Sequence, residues 1–155
     1  MPGFGMTDFI GPVKALDKLN IQPEDITDVI VTHAHHDHIE YISRFKKSKM
    51  YIQRDEYESG KQYFTDGMDI CLFDDEKEIC RNLKAIKIGS HSKGSCIVEI
   101  IKNDKQYIIS GDECYMKDCL VKKIPTDCSY APKKCRKFIE KYSDEDYIVL
   151  SCHKK

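Results

Sequence analysis

Hydrophobic and polar positions along the chain fall into short β-branched runs separated by amphipathic and polar stretches. Pro12–Leu19 (PVKALDKL) predicts a short helix: Pro12 suits a first helical position, and Val13, Leu16 and Leu19 recur every third residue. Asn20 is a plausible stop, and Pro23–Asp25 starts a turn. Ile26–Thr32 (ITDVIVT) is apolar and β-branched, the pattern of a buried strand. Ile39, Tyr41, Ile42 and Phe45 then mark one side of a helix. Met50–Gln53 predicts a strand and the following RDEYES a helical turn. Residues 60–82 mix Gly, Asp, aromatics and charge, and are expected to form a loop with short helices over a site. Leu83–Ile88 alternates as a strand, and Ser95–Ile101, an NDK turn and Gln106–Ser110 predict a β-hairpin. Ala131–Tyr142 reads as an amphipathic helix with Pro near its start, and Asp146–Ser151 as a last buried strand. Strands mixed with helices point to an α/β layered fold. With no repeat, linker or low-complexity tract, residues 1–155 are expected to be one domain.

Composition narrows the function classes. Lys and Arg number 25 against 26 Asp and Glu, which lacks the basic excess of a nucleic-acid binder. No apolar run is long enough for a membrane span, and the N-terminus has neither the basic end nor the apolar core of a signal peptide. A cytoplasmic protein acting on a small molecule is expected, with no nucleic-acid or membrane partner. Eight cysteines in such a chain, none in Cys-x-x-Cys spacing, read as free thiols rather than as a disulfide framework or a metal knuckle.

The densest chemistry lies directly after the strand ending at Thr32. Val31–Glu40 (VTHAHHDHIE) holds His33, His35, His36, Asp37 and His38, including four of the six histidines. His33 and His35 are two apart, so in an extended segment both point the same way and can hold one ion. His38 has the opposite parity, so the chain must turn before it contributes, and it could serve a second ion. His36 also has the opposite parity and is expected to face away. Three later strands end in the same kind of residue: His91 after LKAIKIGS, Asp112 after QYIISG, and His153 after DYIVLSC. If these strands share a sheet and a direction, their ends converge, and five of the six histidines meet at one spot. Imidazole and carboxylate suit zinc first, with iron, manganese or cobalt also compatible. A carboxylate such as Asp112 can bridge two cations about 3.5–4 Å apart, and two ions sharing a water lower its pKa toward neutrality.

Thr32–His38 (THAHHDH) resembles the His-x-His-x-Asp-His signature of metallo-β-lactamase-fold hydrolases. Gly89–Ser95 resembles the second histidine motif of that superfamily, Ser110–Asp112 its bridging-aspartate motif, and Ser151–His153 its last histidine. One departure is Ser90, which stands where the motif usually has Gly before His91. The resemblance implies an αββα sandwich and two divalent metal ions. His33, His35 and His91 would bind the first, Asp37, His38 and His153 the second, and Asp112 would bridge them. A tyrosine three residues after the aspartate, Tyr115, is similar to N-acyl homoserine lactonases. That likeness implies that Tyr115 binds the substrate carbonyl and stabilises the oxyanion. The expected activity is hydrolysis of an ester or lactone by a metal-bridged hydroxide, with Asp112 or Asp37 relaying a proton.

Two alternatives stay open. A hydroxyacyl-thioester hydrolase resembling glyoxalase II would share all seven ligands. The family usually carries about 50 or more residues before its first signature, whereas only 32 precede His33. The opening strands are therefore expected to be missing. That leaves a minimal fold, a start internal to a longer gene, or a second copy in a homodimer covering the edge. It also leaves a truncated metal-binding remnant with little activity as the non-enzymatic alternative.

Overall fold

The computed structural model describes residues 10–114, 117–125 and 129–153. The strands form two sheets. The first has three parallel strands in the order β1 (Asp28–Val31), β2 (Lys49–Gln53) and β3 (Asp69–Phe73). The second runs in chain order: β4 (Glu76–Cys80), β5 (Leu83–Lys87), β6 (Cys96–Lys102), β7 (Lys105–Ile109) and β8 (Tyr147–Leu150). Antiparallel pairing joins β4 through β7, and β8 pairs parallel to β7. Consequently β5, β7 and β8 point the same way, with their C-terminal ends at one edge.

Side chains alternate between the two faces of each sheet, as the pleat requires. From β1, Val29 and Val31 face a cluster with Met50 and Ile52 of β2, Ile39 of α2 (His36–Ile39), Ile42 of the 3-10 turn Ile42–Phe45, and Tyr57 of α3 (Arg54–Ser59). Ile30, between them, faces Phe73, Ala85 and Cys96, which lie between the sheets. The outer face of the second sheet, carrying Ile86, Ile97, Ile108 and Val149, is covered by Cys135, Phe138, Ile139 and Tyr142. These four lie on α5 (Pro132–Tyr142), and Cys119 of α4 (Lys117–Lys122) joins the same cluster. The layers are helix, sheet, sheet, helix, the expected αββα sandwich. The sheets meet where the Cys96 N–H donates to Thr32 O at 2.9 Å, beside the signature.

Three expectations need correction. The strand before His33 does not share a sheet with those before His91, Asp112 and His153. Convergence is across two sheets. Residues 60–82 are not a loop with helices: beyond the 3-10 turn Lys61–Tyr63 they form β3 and β4. The first helix, α1 (Pro12–Asp17), stops short of Leu19, which is 66% exposed and has no core to join. The hairpin of β6 and β7 forms as read, with Asn103 and Asp104 both at positive φ in its two-residue turn. None of the seven described cysteines is in a disulfide; Cys128 lies outside the described residues.

Candidate metal centre

Thr32 follows the end of β1 directly, and His33 after it is fully buried. His35 is still extended, with φ −72° and ψ 148°, and serves as the N-cap of α2. Same parity therefore puts both imidazoles in one place. Helix begins at His36, and the His38 N–H donates to His35 O at 3.0 Å. That turn brings Asp37 and His38 beside His33, whose ring centroid is 4.1 Å from that of His38. His91 arrives from the loop after β5, Asp112 from the turn after β7, and His153 from the end of β8.

The rings of His33, His35 and His91 stand edge to face in every pairing, with centroids 4.7–4.8 Å apart and planes 81–85° apart. Their nitrogens and the Asp112 carboxylate form one group of donor atoms, all within 4.8 Å of one another. Asp37, His38 and His153 form a second group by the same measure. Asp112 lies between the two. Its Oδ2 is 3.4 Å from His91 Nε2 and 3.7 Å from His33 Nε2. Its Oδ1 is 3.3 Å from His38 Nε2 and 3.2 Å from His153 Nε2. Asp37 Oδ2 closes the second group at 3.6 Å from His38 and 3.9 Å from His153. All seven sequence-derived donors thus converge. Tyr115 lies outside the described residues.

Burial sets the charge states. It pushes the His33 imidazole down to about 3, helped by neighbouring His38, and it also lowers His91. Both rings are then neutral, the form that ligates. Burial pulls on His38 in the same sense, but the Asp112 carboxylate outweighs it and holds that ring above its ordinary range. Asp112 in turn is kept low by His38, His33 and His153, against its own burial. His33 Nε2 is buried and makes no hydrogen bond among the described residues. Leaving such a nitrogen unpaired costs on the order of 1–3 kcal/mol. A cation among the imidazoles of His33, His35 and His91 and the Asp112 carboxylate removes that cost, so the residues fit divalent metal.

His36 faces out, 72% exposed. Its Nδ1 meets Tyr63 Oη at 3.0 Å and its Nε2 lies 3.0 Å from Glu40.

Two residues around the centre escaped sequence reasoning. Glu56, 2% exposed on α3, accepts from the Ala34 N–H at 2.8 Å, Ser92 Oγ at 2.6 Å and the Gly94 N–H at 2.7 Å. Glu113, 1% exposed, accepts from the hydroxyls of Ser90 and Ser95. Burial pushes its carboxyl up, against those donors. Both sit in charged stretches, RDEYES and DEC, with no metal-ligand spacing. The only available signal was the run of small donors in GSHSKGS.

The model of the metallo-beta-lactamase superfamily matches residues 4–124. The chain belongs to that superfamily. It is 30% identical over 141 residues to a probable metallo-hydrolase of Methanocaldococcus jannaschii, covering 91% of this chain and 63% of that protein. The N-acyl homoserine lactonase AiiB of Agrobacterium fabrum is 23% identical, with 64% of this chain and 45% of the lactonase covered. Among solved structures, an N-acyl homoserine lactone hydrolase superposes with a TM-score of 0.77 at 19% identity, over 92% of this chain and 61% of that one. Its product, N-hexanoyl-L-homoserine, is bound at the catalytic metal centre. At that identity the likeness establishes the fold. The chain spans less than two thirds of the length of each of these three proteins. No described helix is long and apolar enough to cross a membrane.

Proposed function

We propose that the chain, as one metallo-β-lactamase-like domain, is a metal-dependent hydrolase that opens an ester or lactone at a two-ion centre. His33, His35 and His91 would hold the first ion, and Asp37, His38 and His153 the second. Asp112 would be shared. The observation that carries this reading is the division of Asp112: one carboxylate oxygen faces the first group of histidines and the other faces the second. A structural site needs one ion with its coordination closed by protein, whereas a shared carboxylate is the arrangement of paired-ion hydrolases. The ions, zinc foremost, would supply Lewis acidity for a carbonyl and make water a usable nucleophile near neutral pH.

The chain's own residues do the rest. Neutral His33 and His91 present lone pairs without first losing a proton. Asp37, half exposed at 53%, is the carboxylate best reached by solvent and can take a proton from water and pass it to the leaving oxygen. Tyr115, three residues past Asp112, is assigned to the substrate carbonyl, where its phenol would stabilise developing negative charge. An N-acyl homoserine lactone is the favoured substrate class, supported by Tyr115 and by what AiiB and the product-bound lactone hydrolase act on.

The test is hydrolysis of N-hexanoyl homoserine lactone, beside a hydroxyacyl thioester, by zinc-loaded wild-type and Asp112→Asn chains. Wild type is expected to open the lactone faster than the thioester, and Asp112→Asn to lose turnover and metal together. Undiminished turnover by metal-free Asp112→Asn chain contradicts the reading.

A further inference from the structure

His91 sits in a loop, Ser90–Ser95, between β5 and β6. Gly89, at φ +67°, precedes it, and Gly94 lies within it. Nothing in such a sequence stiffens the backbone by itself. Yet its imidazole Nε2 must come within 3.0 Å of His35 Nδ1, on a loop that belongs to the other sheet.

Two buried carboxylates bridge this loop to its neighbours. Glu56 spends one oxygen on the loop, taking the Ser92 hydroxyl and the Gly94 N–H, and the other on the N–H of Ala34, the residue between His33 and His35. Glu113 follows Asp112 directly. It takes the hydroxyls of Ser90 and Ser95 and faces the backbone N–H groups of Ser90 and His91. Every ligand-bearing segment of the first group is therefore tied to the His91 loop through one of the two. We propose that Glu56 and Glu113 are positioning residues of the first metal site, holding the His91 loop in place before an ion arrives. The proposal rests on the two-ion reading above.

The energetics favour a positional role over filling. A buried carboxylate is costly unless its oxygens are saturated with donors, and an apolar side chain would fill the same volume without that cost. Bonds to a charged acceptor are shorter and roughly twice as strong as neutral ones, so the geometry they fix is stiff. Room has been made for the arrangement. A Cβ on Gly94 would fall on the Gln53 amide oxygen and 3.0 Å from Glu56 Cγ. Gln53 also caps α3, accepting from the Asp55 N–H at 2.6 Å and from the Glu56 N–H, which fixes the helix turn that carries Glu56. The same arrangement accounts for Ser90, the residue that departs from the Gly-His pattern: its hydroxyl is a donor to Glu113. The carboxylates of Glu56 and Glu113 spend their hydrogen bonds on Ala34 and on the loop that carries His91, the segments of the first site.

The prediction is therefore a loss confined to one site. Metal-free full-length chain is titrated with cobalt(II) and followed by absorption, with His91→Ala identifying the bands of the first site. Glu56→Ala is expected to weaken that site about 10–100-fold, the usual cost of removing a group behind a metal ligand. The second site should stay within about twofold of wild type. Glu56→Gln, which keeps one acceptor oxygen, is expected to recover part of the loss. Ser92→Ala and Ser90→Ala remove one donor from Glu56 and Glu113 respectively without burying an unpaired charge. They should show the same one-sided weakening on a smaller scale, and they decide the matter if Glu56→Ala is not recovered folded. Wild-type chain that takes up fewer than two ions contradicts the two-ion reading itself. Two ions in wild type, with unchanged first-site affinity in folded variants or with equal losses at both sites, contradict the positioning role alone.

Discussion

His36 shows how sharply a single position divides this site. It stands in the middle of the signature, yet its imidazole is 72% exposed and bonded to Tyr63 and Glu40. Replacing it with Ala is expected to leave metal content per chain unchanged and to cost less than about 0.5 kcal/mol of stability, as for a surface substitution. Metal analysis and a denaturant melt check both. His33 behaves in the opposite way. In the metal-free chain its imidazole is held neutral down to about 3, whereas in the unfolded chain it takes up a proton near its ordinary value of 6.5. The unfolded state therefore binds more protons between those values, and stability falls as pH drops from about 6.5 toward 3. Melting temperature of the metal-free chain should decline across that window. An excess of zinc, which competes with the proton for neutral imidazole, should shift the decline to lower pH. At this scale the sequence was highly legible. Parity alone separates His33 and His35 from His36, because the chain there is extended up to His35 and helical after it. Glu56 and Glu113 were not legible, since a carboxylate in a charged run looks the same whether it faces water or a buried ring of donors.

Elements converge because β5, β7 and β8, the strands that precede His91, Asp112 and His153, share one direction. β5 and β7 both lie antiparallel to β6, and β8 lies parallel to β7, so His91, Asp112 and His153 leave the same edge. The sequence showed each strand end but not the partition into two sheets. Alternation reports which face a side chain takes and says nothing of which strand lies beside it. β4 is hard to read from the sequence although EKEIC alternates, with Lys77 and Ile79 half buried and Glu76, Glu78 and Cys80 exposed. Its charges are those of an edge strand, and they masked the period. β3, DICLF, has the apolar run of a strand in a parallel sheet, hidden by the polar turns around it. α5 supplies the test of the outer layer. Phe138, 2% exposed, packs with Ile97, Ile108 and Tyr142 over the face of the second sheet away from the metals. Phe138→Ala is expected to cost about 3–5 kcal/mol by opening a cavity. Metal stoichiometry at low temperature should be retained, as calorimetry and metal analysis would show.

The whole molecule is a sandwich whose two sheets each deliver part of one centre. β1 brings His33, His35, Asp37 and His38 from one side; the second sheet brings His91, Asp112 and His153 from the other. Neither sheet alone holds either complete group of donors, so metal binding is expected to be linked to the docking of the sheets. Zinc is expected to raise the melting temperature, by an amount that grows with its free concentration above the dissociation constant. The sharing of Asp112 between two ions is what the proposed chemistry needs most. Anomalous diffraction at the zinc edge from crystals of the loaded chain tests this directly. Two peaks of comparable height about 3.5–4 Å apart, flanking the Asp112 carboxylate, are predicted. A single peak at saturating zinc, or two peaks with Asp112 on only one of them, would contradict it.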